Sequence, residues 1–374
     1  MKKILILLIF LNLTSNSYSK HDTFKYDFFY NNKYEIKGSK NYQKFNSELT
    51  INKTVSKEIE NSDKTGLISY LLFKDNKIVI DESNLPENVK KNNNLLVSNS
   101  VGKSLVSYIT GHAICEGYID NVDVTLNDWS ILNNTLYEGQ KLIDILNMSA
   151  GDQKIIGQKY FNSDGYIDFK GKKWNAHDIP VQDLMKSAIF QNTRKSSKTY
   201  NYNALATYIV MNYTIFKTGN DWQKLLNKIF NETVKVRNNV YFMTFNPINT
   251  NINNGGRYNF YATRYDYLRI AKTILDDWNN DTCVGKYLKT IYERRINKNR
   301  GSYKPTNVYS YSKKYGGQFH FDIVGLEKRK ILGMDGLGGQ QILIDFENNK
   351  IIVIHATTPH YNWKKIAHQV LKKN

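Results

Sequence analysis

The chain is poor in cysteine, proline and acidic residues, and beyond its first thirteen positions it has no long apolar run. Two cysteines, Cys115 and Cys283, exclude a disulfide framework and allow one bridge in an oxidising compartment. Cys115 falls on the apolar side of a helical repeat, so a buried free thiol is the expectation and pairing stays open. No Cys/His cluster has zinc spacing. His355 and His360 stand five apart, on a strand and in the loop after it, and no H-E-x-x-H occurs; no metal and no cofactor is expected. Five prolines, no Gly/Ser-rich linker and no internal repeat in 374 residues argue for one compact unit, with room for two lobes. The shortage of acid, 34 Asp and Glu against 52 Lys and Arg, gives a formal charge of +18. The lysines are scattered among asparagines and form no stripe, and no nucleic-acid motif accompanies them. Nucleic acid is therefore not an expected partner. A solvated Lys/Asn-rich surface is the plain explanation, with weak association to an anionic cell-wall or membrane surface as the alternative.

What is present begins with a leader-like N-terminus. Met1, Lys2 and Lys3 precede an apolar run, Ile4 to Leu13, that suits a signal h-region and is too short to span a bilayer. Ser17 and Ser19 place small residues where a signal peptidase reads, so residues 1–19 are expected to be removed. The mature chain is then periplasmic or secreted, and soluble. Residues 20–48 have no clear period and read as an N-terminal arm. Residues 49–374 read as one domain.

Within that domain, 49–61 has a polar helical pattern. "GLISYLLFKDNKIVIDES" reads as a hairpin turning at Asp75-Asn76. Val101, Leu105, Tyr108, His112 and Cys115 recur at helical spacing, which predicts a helix over 101–116 with one buried face, stopped by Gly117. From about 120 to 300 the patterns are mostly helical. Strands return in "GGQQILIDFENNKIIVIHA", and a helix over 362–372 closes the chain. The pattern predicts an α+β fold: an antiparallel sheet built from both chain ends, flanked by N- and C-terminal helices, with an inserted mostly helical lobe.

The stretch "SNSVGKSLVSYITG" holds two competing motifs. Gly102-Lys103-Ser104 imitates the end of a phosphate-binding loop. That loop needs a glycine five positions before Gly102, and Val97 stands there; its backbone could not wrap a phosphate. Ser100 and Lys103 spell S-x-x-K. Residues three apart share one helix face. A serine at a helix start has unpaired N–H groups beside it, and a neutral lysine one turn on can take its proton. Ser17–Lys20 and Ser310–Lys313 match the pattern too, but only Ser100 opens an apolar-periodic helix after a hairpin.

"SVGKSLVSYITGHAICEGYID" followed by "LIDILNMSAGD" resembles the serine β-lactamase-related family of class C type, which includes esterases, D-amino-acid peptidases and 6-aminohexanoate-oligomer hydrolases. "TYNYNALATYIV" is similar to the family's F-x-Y-[SN]-[NS] segment. "FYATRYDYLRIAKTIL" is similar to its S-A-R-D-L-A-R-F helix start, and "GLGGQQILIDFENNKIIVI" to its G-H-G-G-Q turn and last hairpin. The segments come in family order over residues 65–374. The resemblance implies a β-lactamase/transpeptidase-like fold and a serine hydrolase acting through an acyl-enzyme on a small ester, amide or short peptide or oligoamide. It implies Ser100 as nucleophile, Lys103 as its base and Tyr202 as proton relay, with Tyr200 the alternative tyrosine. It implies an oxyanion hole from the amides of Ser100 and Gln340, and a third motif at Leu337-Gly338-Gly339. Asn203 and His320 are candidate pocket residues, with a packed His320 as the alternative. Ser100 as a mere N-cap and Gly338-Gly339 as a mere bulge stay open.

Two departures matter. Leu337 stands where many relatives carry a cation that binds a substrate carboxylate, which disfavours a strict penicillin-binding peptidase or β-lactamase. Asn203-Ala204 displaces the usual downstream Asn by one. A catalytically silent binding or cell-wall-sensing protein on the same fold is a further alternative. Lys217-Thr218-Gly219 spells the lactamase KTG but falls at a helix end, so it reads as a helix stop.

Overall fold

The computed structural model describes residues 33–156, 179–245, 255–299, 311–358 and 361–373, together with the backbone of a short strand pair at 166–169 and 172–175. The leader, the arm before Lys33, Ser310 and His360 lie outside the described residues.

Strands in chain order are β1 (Lys33–Ile36), β2 (Asn46–Ser47), β3 (Leu67–Lys74), β4 (Lys77–Ser83), β5 (Leu96–Val97), β6 (Tyr166–Phe169), β7 (Lys172–Asn175), β8 (Val240–Thr244), β9 (Gly256–Ala262), β10 (Ile296–Asn297), β11 (Ser312–Gly316), β12 (Phe319–Ile323), β13 (Ile331–Gly336), β14 (Gln340–Asp345) and β15 (Lys350–Ala356). Nine of them form one sheet in the order β10-β11-β12-β13-β14-β15-β3-β4-β2. Its centre joins the two chain ends, with Val353 opposite Leu71 across the antiparallel β15–β3 pair. Among the described residues of this sheet, only the short β2–β4 pair is parallel. Asp75 and Asn76 both take positive φ at the β3–β4 turn, the geometry a two-residue hairpin demands.

Both faces of this sheet are covered, and that explains the unbroken apolar runs. On β3, Ile68, Leu71 and Phe73 enter the large core under the helices, while Leu67, Tyr70 and Leu72 enter a second core under the terminal helices. β15 divides the same way, Ile351 and Val353 to one side, Ile352 and Ile354 to the other. A strand buried on both faces has no polar side to alternate with.

The stretch 120–300 carries the helices 204–218, 264–279 and 283–293, but also β8 and β9. These two pair with β1 and β5 in a second, four-stranded sheet in the order β1-β8-β9-β5. β9 was hidden in sequence because its run, "GRYNFYA", is broken by Arg257 and Asn259.

The helix 101–115 differs from expectation. Every residue from Val101 to Ala113 is buried, not one face. It is enclosed by the helices 204–218 and 283–293 and by β9, β13 and β14. Its polar residues are bonded rather than solvated: Ser104 Oγ donates to Gln318 O at 2.6 Å, Tyr108 Oη to Asp277 Oδ2 at 2.8 Å, and Ser107 Oγ meets Tyr287 Oη at 2.8 Å. Its other buried positions include Gly102, Ser104, Ser107, Thr110 and Gly111, which do not count as apolar in a periodicity reading, so the pattern read as one-sided. The cysteines correct a second expectation. Cys115, at the end of this helix, is bonded to Cys283, at the start of the 283–293 helix, with Cα atoms 5.8 Å apart. The pairing could not be read from spacing because 168 residues separate the two.

Candidate active site

β5 delivers the chain to Ser100. Ser98 N donates to Phe260 O at 2.8 Å and Ser98 Oγ accepts from Phe260 N at 2.9 Å, which fixes this segment against β9. Asn99 then takes φ +44°, a conformation asparagine tolerates better than most residues. Ser100 opens the helix with helical dihedrals, and its hydroxyl makes no capping bond. Instead Lys103 Nζ donates to Ser100 Oγ at 2.8 Å.

Gly102 supplies the room for this. A Cβ there would stand 1.8 Å from Tyr258 O on β9, so only glycine lets the strand lie against the first helical turn. The glycine that imitated a phosphate loop is a packing residue.

Lys103 is 3% exposed. Its Nζ lies 3.9 Å above the ring of Tyr258 and 5.1 Å from that of Tyr202. Burial pulls its pKa down, opposed in part by Tyr202 and by the carboxylate of Asp335. Tyr202 bears on both partners, with its phenol interacting with Lys103 and with Ser100. Burial raises the Tyr202 phenol above its ordinary value, and the Lys103 charge opposes that rise. The ring of Tyr200 lies 6.5 Å from that of Tyr202 and 5.1 Å from that of Tyr315.

A buried carboxylate places Tyr202. Asp152 is 1% exposed and accepts from Tyr137 Oη at 2.9 Å, Asn201 Nδ2 at 2.7 Å and Asn203 Nδ2 at 3.2 Å. Asn203 Oδ1 in turn accepts from Ala206 N at 2.8 Å and caps the 204–218 helix. Asn203, a candidate pocket residue in sequence, thus spends its side chain on the scaffold. The turn over Leu146–Gly151 braces the same segment. Its Met148 O accepts from Asn201 N at 2.7 Å, and its Asn147 Oδ1 from Gly317 N at 2.8 Å.

Leu337-Gly338-Gly339 forms the turn between β13 and β14, whose last rung pairs Gly336 with Gln340. Gly339 N donates to Gly336 O at 2.9 Å, and Gly338 N to Gln340 Oε1 at 3.0 Å. Asn99 Nδ2 donates to the same Gln340 oxygen at 3.0 Å, so Gln340 ties the turn to the residue before Ser100. The close-approach glycine is Gly336: a Cβ there would stand 2.8 Å from Ser98 O. Gly339 takes φ +84° as the turn requires. Leu337 is half exposed at the tip.

His320 is packed, between the rings of Tyr311 and Tyr315 at 5.1 and 5.0 Å. Its Nδ1 meets Ser312 Oγ at 3.0 Å, and its Nε2 lies 3.3 Å from Asp335 Oδ2. Asp335 and Tyr258 were not identified from sequence. Asp335 stands two residues before Leu337, which offered a weak signal. Tyr258 is one of 27 tyrosines, and nothing in its run sets it apart.

The remaining motifs resolve simply. Lys217 Nζ donates to Asp128 Oδ2 at 2.7 Å, Thr218 Oγ1 bonds back to Thr214 O at 2.9 Å, and Gly219 ends the helix with φ +53°. His112 is buried against Tyr108, its pKa pushed down to about 4 by burial. A cavity of about 780 Å³ lies between residues 42–49 and the start of the 264–279 helix, and none of Ser100, Lys103 and Tyr202 lines it. Two of its arginines are committed to ion pairs, Arg264 with Asp81 at 2.7 Å and Arg269 with Asp266 at 2.8 Å.

No protein-family model matches the sequence, and no curated protein matches it. Solved structures do. A proposed 6-aminohexanoate-dimer hydrolase of Bacillus anthracis superposes with a TM-score of 0.61 at 15% identity, covering 91% of this chain and 88% of that one. A proposed β-lactamase of Bacteroides dorei gives 0.60 at 14% identity, covering 86% and 98%. A D-stereospecific amidohydrolase of Streptomyces gives 0.56 at 9% identity, covering 85% and 99%. At such identities the likeness speaks to architecture, and the chain has the α+β fold of the serine β-lactamase-like proteins.

Proposed function

We propose that the chain is an exported serine hydrolase that forms an acyl-enzyme through Ser100 on an ester, amide, short peptide or oligoamide. The observation that carries this is the buried Lys103 Nζ on Ser100 Oγ at 2.8 Å, with the lysine pKa drawn down by burial. A lysine held neutral can accept the Ser100 proton as Oγ attacks a carbonyl carbon. Tyr202, in contact with both, passes that proton to the leaving group. The carbonyl oxygen, negative in the tetrahedral intermediate, takes hydrogen bonds from the amide of Ser100 and from the 336–340 turn, where the sequence points to Gln340. Water then attacks the acyl carbon and frees Oγ.

The substrate class rests on the neighbours and on the turn. The solved relatives are described as acting on 6-aminohexanoate dimer, β-lactam and D-amide substrates. Leu337 puts an apolar, half-exposed side chain where a carboxylate-binding cation would favour a β-lactam or a peptide C-terminus. Neutral esters and amides are therefore the preferred substrates. Export is supported by the leader-like start and by the Cys115–Cys283 bridge, which needs an oxidising compartment. A turnover screen with p-nitrophenyl esters, 6-aminohexanoate dimer and nitrocefin is the test. Short-chain esters should exceed nitrocefin in kcat/KM; the reverse order would favour a β-lactamase, and no turnover of any of the three a silent binding protein.

A further inference from the structure

The cavity between residues 42–49 and the start of the 264–279 helix carries positive charge that no carboxylate answers. Rings and guanidinium groups alternate along its wall. The Arg269 guanidinium lies 5.5 Å from the ring of Phe45 and 5.3 Å from that of Tyr42, and the Arg237 guanidinium lies 5.1 Å from the same Tyr42 ring. Arg269 is fixed there, its Nε donating to Gln43 O at 2.8 Å and its Nη1 to Asp266 Oδ1 at 2.8 Å. Asp266 also accepts from Thr263 Oγ1 at 2.7 Å and from the backbone amides of Arg237 and Asn238 at 2.7 and 3.3 Å. Among the described residues Asp81 is the one carboxylate lining the cavity, and it is taken up by Arg264 Nη2 at 2.7 Å and by the Tyr265 hydroxyl. Arg237 and Lys44 remain. Both are exposed, and among the described residues neither side chain has an ion pair or a hydrogen bond.

The recess is long rather than round. Past Arg237 and Asn238, which line both parts, it continues into a second cavity of about 290 Å³ that reaches Tyr241. Asn93 and Asn94 stand at its edge on a turn, both exposed and both at positive φ. The side-chain amides of Asn93, Asn94 and Asn238 make no hydrogen bond among the described residues. Each type of group asks for a different partner. The cations ask for an acidic group. The amides, which both donate and accept, ask for hydroxyls. The half-buried rings of Tyr42 and Tyr265 ask for a flat, C–H-bearing face. An acidic sugar chain offers all three along its length. A bare polyanion would use the cations alone, and a lipid surface would need them raised on an apolar face rather than set in a recess.

We propose that this groove binds an acidic oligosaccharide, with Arg237 and Lys44 pairing with its carboxylates and the asparagine amides with its hydroxyls. The site is built before the ligand arrives. Asp266 holds the backbone at Arg237 and Asn238, and Arg269 holds that at Gln43, next to Tyr42. Such preorganisation lowers the cost of binding. Burial pulls the Arg269 pKa down and the Arg237 charge adds to that, so the two guanidinium groups repel across Tyr42 and a carboxylate brought to Arg237 relieves them. None of Ser100, Lys103 and Tyr202 lines either cavity, so the proposal stands whether or not Ser100 is a nucleophile. The groove would hold the chain on an acidic polysaccharide and leave Ser100 free.

Isothermal titration calorimetry of the full chain tests this with three probes. Oligogalacturonate carries rings, hydroxyls and carboxylates, its methyl ester keeps the rings and hydroxyls without the charge, and polyphosphate keeps charge without the rings. Oligogalacturonate should bind at least ~10-fold tighter than either of the others. Arg237→Gln/Lys44→Gln should weaken it roughly 10- to 100-fold. Lys364→Gln/Lys365→Gln removes the same charge from exposed positions beside Ile366, in the core on the other face of the sheet from the cavity-lining Ile78, and should weaken it far less. A melting curve accompanies each variant. If the first double variant melts lower, Lys44→Gln alone, at an exposed residue, should show a smaller loss in the same direction. Equal weakening by the two double variants would assign binding to overall charge and overturn the site. Polyphosphate or the methyl ester binding as tightly as oligogalacturonate would overturn recognition of an acidic sugar, and no binding of any probe would overturn the proposal outright. Turnover of p-nitrophenyl butyrate should be equal in wild type and Arg237→Gln/Lys44→Gln; a loss would overturn the separation from Ser100, whereas absence of turnover in wild type would count against the hydrolase reading alone.

Discussion

Replacing Lys103 by methionine separates the chemistry of the site from the stability of the fold. Methionine keeps the unbranched stem and deletes the ammonium. In the folded chain Lys103 is 3% exposed, and burial pulls its pKa below the ordinary lysine value. In the unfolded chain it titrates near ~10.4. Between the two values the unfolded state binds more protons than the folded one, so wild-type stability rises with pH. A single proton gives a slope of up to about 1.4 kcal/mol per pH unit. The Lys103→Met chain lacks this contribution. Its stability relative to wild type should be highest at the low end of the window and should fall as pH approaches 10. The offset at any one pH mixes two terms: relief of the lysine's desolvation, and loss of the bond to Ser100 Oγ, worth about 0.5–1.5 kcal/mol between neutral groups. The difference in slope is free of that mixture. Urea unfolding at pH 7, 8, 9 and 10, followed by the fluorescence of the five tryptophans, measures it. Ester turnover should fall at least ~10³-fold in the same variant. Parallel stability profiles, or near-normal kcat, would refute the assignment of Lys103 as a base held neutral by burial.

Three further outcomes are expected. The Cys115–Cys283 bridge closes a 168-residue separation, so the Cys115→Ser/Cys283→Ser double variant should lose about 2–5 kcal/mol of unfolding free energy; two thiols titrating in the unreduced, denatured wild type would contradict the pairing. Gly102→Ala places a Cβ 1.8 Å from Tyr258 O, so the variant should lose about 1–3 kcal/mol of stability and at least tenfold in activity, and unchanged kinetics would show that β9 can retreat freely. Leu337→Lys should raise kcat/KM for p-nitrophenyl hemisuccinate relative to p-nitrophenyl butyrate by roughly tenfold, through a charge-assisted contact at the turn tip; an unchanged ratio would remove Leu337 as the discriminator.

Much of the site was legible because its residues are local in sequence. Ser100 and Lys103 share one helical turn, and Tyr202 immediately precedes the cap of a long helix. The central sheet was legible for a similar reason, since β3–β4 and β14–β15 are hairpins with polar turns and apolar runs. What stayed hidden depends on distant strands. Tyr258 reaches Lys103 only because β9 pairs with β5 and Gly102 admits it. Asp335 reaches Lys103 only through the register of β13. The role of Asp152, holding the segment that bears Tyr202, is invisible until that segment folds back on it. The disulfide was obscured by the apolar setting of Cys115, which suits a free thiol equally well.

Mapping the adduct of a fluorophosphonate probe tests the central claim most directly, because the probe reacts with a serine whose oxygen is activated for attack. Ser100 and Ser98 fall on one tryptic peptide, residues 92–103, and fragmentation separates them. Ser98 Oγ is buried and bonded to Asn99 O and Phe260 N, so it should stay unlabelled. The label should appear on Ser100, should be absent from Ser100→Ala, and should be lost in Lys103→Met. Ser100→Ala should also abolish ester turnover by about 10⁴-fold or more while changing stability little, since the hydroxyl makes no capping bond. A label on Ser104 or any other serine, or a Ser100→Ala chain that kept most of its turnover, would contradict Ser100 as the nucleophile.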